Sequence, residues 1–309
     1  MFRKLTLYLF LLLASIGLTY DTQSYTSGAL SGSAYGIIGL STLIALCYIL
    51  PGIFLVRYLG KRWQVKPLVL IFALIGGVFI TGWIAGYANT ISHDWVTAHL
   101  SSKSFFYRFE DALMAPLVEE PLKLAAFLFA IYMVPTKSYK GLLLVAITAG
   151  LGFQISEDFS YILSDLPDGF SYTISGILGR TIGAVSSHWL YTSFLAMGLV
   201  LIWRSRQKLI NSKYSLIGIL YACGAFVAHF SWNSPLRNLE SDLPWAQVFL
   251  FHSIFSSSLH FIRSSRNWMK KTSNVKLRKK KTFQFYAKAF LMTLITHRKT
   301  IGHQITSII

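Results

Sequence analysis

Acidic residues are scarce in this chain: 12 Asp and Glu stand against 29 Lys and Arg in 309 residues. Charges of both signs make up 13% of the sequence, while 53% is hydrophobic and the mean hydropathy is +0.50. That balance excludes a soluble globular domain and points to a polytopic membrane protein. Cysteine is nearly missing. Cys47 and Cys223 both fall in apolar stretches, where a disulfide framework has no place. Signatures of three protease classes are missing as well. No His-Glu dipeptide occurs, so the HExxH zinc helix is absent. The YTISG stretch carries Thr173 where a serine-type GxSG needs its first glycine, and GLGF has Phe153 where an aspartyl-type intramembrane protease needs an aspartate.

What is present is a series of apolar runs. A spanning helix needs roughly 20 such residues, and eight segments qualify: about 5–20, 35–56, 68–90, 111–134, 141–163, 175–203, 215–234 and 245–262. The expected fold is an all-α, polytopic transmembrane helix bundle. The first run, after MFRK, is read as a retained anchor, with Ser15-Ile16-Gly17 as the cleavage site of the alternative, a signal peptide. The segment at 175–203 is long and contains Arg180 and Gly183, so a broken or interfacial first piece is expected there. Four regions follow: residues 1–110 with three spans and an outer loop, 111–235 as a polar-rich core, 236–262 as the last span, and 263–309 as a basic tail.

The charge of +17 is distributed by side rather than in a nucleic-acid-binding patch. Arg3 and Lys4, Lys61 to Lys66, Lys137 and Lys140, Arg204 to Lys213, and the run from Arg263 all fall on one side of the spans. Asp21, Asp94, Glu110, Asp165, Asp168, Glu240 and Asp242 fall in the alternate loops. The positive-inside rule therefore makes both termini cytoplasmic and gives the basic tail anionic lipid as its neighbour. The bilayer is the expected partner, and nucleic acid is not.

Against this background APLVEEPLK is an anomaly. Ionisable groups inside a span are costly and by default mark function. Span four carries Glu119, Glu120 and Lys123; span five carries Glu157 and Asp158 in FQISEDFSY; span six has His188 in SSHWLY; span seven has His229 and Asn233 in HFSWN. A plainer account exists for each. Glu119 and Lys123 are four apart and can neutralise one another, and a solitary His or Asn is commonly a helix contact. Depth argues for a shared site. At ~1.5 Å per residue from the outer ends, Glu119 and Glu120 lie about 12 Å in, Glu157 and His229 about 9 Å, and His188 about 13 Å. Independent pairs have no reason to share a layer. Chemically, a carboxylate beside a lysine can serve as a base toward water, while imidazole and carboxamide donors stabilise an oxyanion. The same His and Glu groups suit a zinc ion with an open position. Both mechanisms stay open on the sequence.

The order APLVEEPLK, GLGFQISEDFSY, SHWLYTSF, HFSWN resembles the PrsW family of intramembrane proteases, similar in motif plan to the CAAX-prenyl-protease superfamily. The resemblance covers about residues 110–235. It implies catalytic roles for Glu119, Glu120, Glu157, His188, His229 and Asn233, support from Lys123, Phe153 and Asp158, and zinc as a candidate cofactor on Glu157, His188 and His229. Two positions depart from the pattern. PrsW-like sequences commonly have asparagine where this chain has Asp158, an extra carboxylate for which Arg180 is a candidate partner. Leu124 stands where the prenyl-protease branch has arginine, which argues against a prenyl substrate. The implied activity is endopeptidase cleavage of a membrane-anchored protein near its outer face, an anti-sigma factor or similar regulator, in a bacterial plasma membrane. Two rivals use the same buried Glu/His cluster: a proton-coupled transporter, which predicts inverted repeats and broken helices near the midplane and for which no pair of repeated segments is evident, and a non-catalytic membrane scaffold.

Overall fold

The computed structural model describes residues 2–26, 30–184 and 187–235, and the described residues form helices joined by short connections, without a strand. Helix α1 (Phe2–Thr26) and α2 (Gly32–Arg62) are followed by α3 (Pro67–Gly76), which runs through a five-residue π turn (Gly77–Thr81) into α4 (Gly82–His99). A short outer turn, α5 (Phe105–Arg108), leads to α6 (Glu110–Met133). Then come α7 (Tyr139–Asp165), α8 (Phe170–Gly183), α9 (His188–Arg206) and α10 (Lys213–Asn233). Six helical segments among the described residues are long and apolar enough to cross a membrane. They match six of the expected spans. The expected span at 111–134 exists as α6, whose charges set it apart from the six; the expected span at 245–262 and the basic tail lie outside the described residues. The chain is an integral, multi-pass membrane protein.

Helix α7 is the hub. In its apolar window 83% of the residues are buried, against 11% in α1 and 17% in α2, so α1 and α2 present most of their surface to lipid. Small residues let neighbours approach α7 closely. A Cβ on Gly77, in the π turn, would lie 2.3 Å from the carbonyl oxygen of Ala149, and one on Gly150 would lie 2.6 Å from that of His188. The π turn adds a residue to the repeat and so advances the phase of α4 relative to α3. Asn89, two turns further on, faces α6.

Two apolar clusters fix the helices that carry polar groups. Leu190, Tyr191, Phe194 and Leu195 of α9 pack on Ala225 and Ala228 of α10. Ala45 and Ile49 of α2, Ile162 of α7 and Ile177 of α8 form the second. The long segment expected at 175–203 is two helices, and the break falls between Gly183 and His188.

Candidate active site

The α8/α9 break puts His188 at the first residue of α9, and the α9/α10 cluster holds it near His229, with ring centroids 5.0 Å apart at 83°. Glu119 and Glu120 enter from α6. All four side chains are buried, as is Lys123 one turn below the glutamates. Helix α6 runs unbroken through Pro116 and Pro121. Pro121 has no N–H, which leaves a backbone carbonyl one turn back without its helical donor beside the acids.

Lys123 is the local cation. Its Nζ lies 2.7 Å from Glu120 Oε1 and 3.4 Å from Glu119 Oε2, donates to His188 Nδ1 at 2.8 Å, and sits 4.3 Å from the centre of the Phe153 ring. Because Nδ1 of His188 accepts from an ammonium, its proton is assigned to Nε2, which donates to Glu157 Oε2 at 2.7 Å. His229 is arranged the other way round. Its Nδ1 donates to Glu120 Oε1 at 2.9 Å, so Nε2 carries the lone pair, and this buried atom has no hydrogen-bond partner among the described residues. It faces Glu119 Oε2 at 3.5 Å. Two electron-pair donors facing one another in a buried place call for a proton or a cation between them.

The donor set answers to a metal. Among the described residues one group, Glu119, His188 and His229, brings three ligand atoms within 4.8 Å of one another. Histidine and carboxylate are the usual zinc set, and a carboxylate on the far nitrogen of a ligating histidine, as Glu120 is on His229, is its usual support. Charge agrees. Glu119, Glu120, Glu157 and Asp158 are faced by the fixed cations Lys123 and Arg180, which leaves two negative charges for a divalent ion, or for two protons, to balance. The residues present fit the ion. The sequence-based expectation of Glu157 as a ligand differs from this cluster: Glu157 bonds His188 Nε2 and Arg180 instead, and Glu119 stands among the clustered donors.

Over residues 65–259 the sequence matches a family described as PrsW family intramembrane metalloprotease. The chain belongs to the PrsW family. It is therefore an intramembrane peptidase. No curated protein and no solved structure matched the chain. The motif residues of this PrsW protein are brought together with one exception. Phe153 packs edge-on to the His188 ring at 4.9 Å, and Asp158 accepts from Tyr48 and Arg180. Asn233, at the last position of α10, is half-buried and makes no hydrogen bond to the other site residues.

Two contributors were not singled out in the sequence. Asn89 donates from α4 to Glu119 Oε1 at 3.0 Å, and its own buried Oδ1 has no partner among the described residues. A lone asparagine in an apolar span is a signal of the same kind as His229, and that rule finds it. Tyr48 donates to Asp158 Oδ2 at 2.6 Å from α2. A tyrosine in a lipid-facing helix carries no such signal.

Proposed function

We propose that this PrsW protein hydrolyses a peptide bond of a membrane-anchored protein near the outer face of a bacterial plasma membrane, a regulator of the anti-sigma type being the substrate class the family suggests. The observation that carries the mechanism is the graded burial of the cluster. Glu119, Glu120, Lys123, His188 and His229 have side chains exposed by 2% or less, whereas Glu157 is 17% exposed and touches His188 directly. Water and a substrate backbone meet Glu157 first.

Glu119, His229 and His188, the last through the Nδ1 lone pair that here accepts from Lys123, are the residues that would hold a zinc ion, which when bound would supply Lewis-acid polarisation of the scissile carbonyl and of water. Glu157 is the proton acceptor. One of its oxygens is engaged by His188 and Arg180, and Oε1 bonds none of the described residues, so it is free to receive a proton from the attacking water. Glu120 keeps His229 turned with its Nε2 lone pair toward Glu119, and Lys123 offsets one of the two charges of the glutamate pair. Asn89 fixes the other oxygen of Glu119. Asn233 stands at the rim as a carboxamide within reach of an incoming substrate rather than of the buried groups.

The test is cleavage of a single-span substrate by the purified protein in proteoliposomes, with metal content measured on the same samples. Glu157→Gln is expected to retain metal and lose cleavage. His229→Ala and Glu119→Gln are expected to lose both, and Glu120→Gln to weaken metal retention roughly 10- to 100-fold, as removal of a ligand's carboxylate support does. Full cleavage by all four variants would sink the site assignment. Solute flux abolished by the same substitutions would favour a transporter.

A further inference from the structure

One cation of the site has no task in the hydrolytic scheme. Arg180 projects from α8, before the break that precedes His188, and its guanidinium spans two successive acids of α7. Nη2 meets Glu157 Oε2 and Nε meets Asp158 Oδ1. The second oxygen of Asp158 is in turn held by Tyr48 Oη of α2 at 2.6 Å. The guanidinium also lies over the Tyr161 ring, 4.0 Å from its centre. One turn before Arg180, Ile177 is sealed against Ala45, Ile49 and Ile162, so the base of the arm is as fixed as its tip.

We propose that Arg180 is a positioning residue of the peptidase: it holds Glu157 in the orientation that bonds His188 Nε2, and Asp158 with Tyr48 is the anchor that holds Arg180. The proposal rests on the peptidase reading and names what keeps its proton acceptor in place.

Glu157 needs such a tie. It is the most exposed acid of the cluster, and an unheld glutamate there would turn to water and release His188. Successive helical residues point about 100° apart, so Glu157 and Asp158 do not face one site unaided. A planar fork between them draws both to one side. Lysine offers a single point charge on a flexible stem and does not reproduce that geometry. Asp158 contributes a fixed negative charge to the far end of the fork. With Glu157 alone as counter-ion, the guanidinium would keep one donor edge without an acidic partner; Asp158 supplies it, and Tyr48 stops Asp158 from turning away.

A plain fastener between α7 and α8 would make the same contacts, so the experiment must separate fastening from positioning. In the full-length protein with the single-span substrate, Arg180→Ala is expected to lower kcat about 100-fold with KM changed less than about threefold, the cost of a misplaced catalytic group. Millimolar guanidinium should restore at least about tenfold of that loss in Arg180→Ala and nothing in Glu157→Gln. Tyr48→Phe, which keeps the ring and the fold, should lose roughly tenfold in kcat, the worth of a hydrogen bond to a charged group. The second readout needs no turnover. In protein labelled with ¹⁵N-histidine, His188 should show its proton on Nε2, and Arg180→Ala should shift that resonance while leaving the His229 signals in place. Unshifted His188 resonances in Arg180→Ala would overturn the proposal whether or not the test substrate is cleaved. So would a kcat within threefold of the parent, or a loss that guanidinium leaves untouched. An inactive parent protein whose His188 resonances do respond to Arg180→Ala counts against the peptidase reading and leaves the positioning in force.

Discussion

Lys123 is the cation enclosed by the buried acids and histidines of the site. It is fully buried, it pairs with two glutamates, it donates to His188 and it lies against Phe153. A buried charge that loses its partner costs about 3 to 5 kcal/mol, more than a solvated pair ever returns. Lys123→Met, of similar length and without charge, should therefore lower the thermal midpoint of the detergent-solubilised protein. Adding Glu120→Gln to that variant should recover most of the loss, because it removes one of the two anions left behind. A double variant less stable than the single one would show that Lys123 acts by packing alone. Much of this was legible from residue type, since a lysine and two glutamates in an apolar run are improbable without mutual contact. The details were not. Which nitrogen of each histidine carries a proton depends on partners 65 and 109 residues distant in sequence, and Tyr48 finds Asp158 across 110.

Helix α7 joins both sides of the site, and its crossing with α9 is set by one missing side chain. A Cβ on Gly150 would lie 2.4 Å from the Cα of Trp189 as well as 2.6 Å from the carbonyl oxygen of His188, and backbone atoms do not yield as a flexible side chain does. Gly150→Val should force the two helices apart at the residue that carries the imidazole. The expected outcome is loss of cleavage with the helical content by circular dichroism unchanged, and loss of the His188 resonance pattern. Retained cleavage would mean that α9 slides without disturbing the site. The break before α9 was partly legible, because Arg180 and Gly183 interrupt an over-long apolar segment. The role of the break was hidden: hydropathy marks where a helix is interrupted, and only packing determines that the new helix begins on His188. The π turn at Gly77–Thr81 had no signal in the hydropathy, since its residues are as apolar as their neighbours, and the close approach of Gly77 to the backbone of Ala149 and Gly152 is set by packing.

Across the whole molecule the spans were the easiest feature to read, because lipid permits few alternatives to a helix of sufficient length. The described helices cover the expected spans and run past several of their ends, α1 to Thr26, α2 to Arg62 and α4 to His99, so that Asp21 and Asp94 stand in helices rather than in connections. Cys47 and Cys223 are both unpaired, which allows a background with both replaced by alanine. In that background Ser102→Cys, in the connection before α5, should react with a membrane-impermeant maleimide on intact cells, while Lys61→Cys should react only after permeabilisation. The opposite pattern would invert the molecule and put the candidate site at the inner face. Where sequence reasoning reached least far was in the reach of α2 into the site, because the family match begins at residue 65 and Tyr48 precedes it. That hydroxyl sets a limit on modularity. A chimaera that grafts residues 65–259 onto foreign N-terminal helices would import the acids, the histidines and Arg180 intact, yet leave Asp158 without its donor; the boundary of inheritance and the boundary of the working unit are different lines.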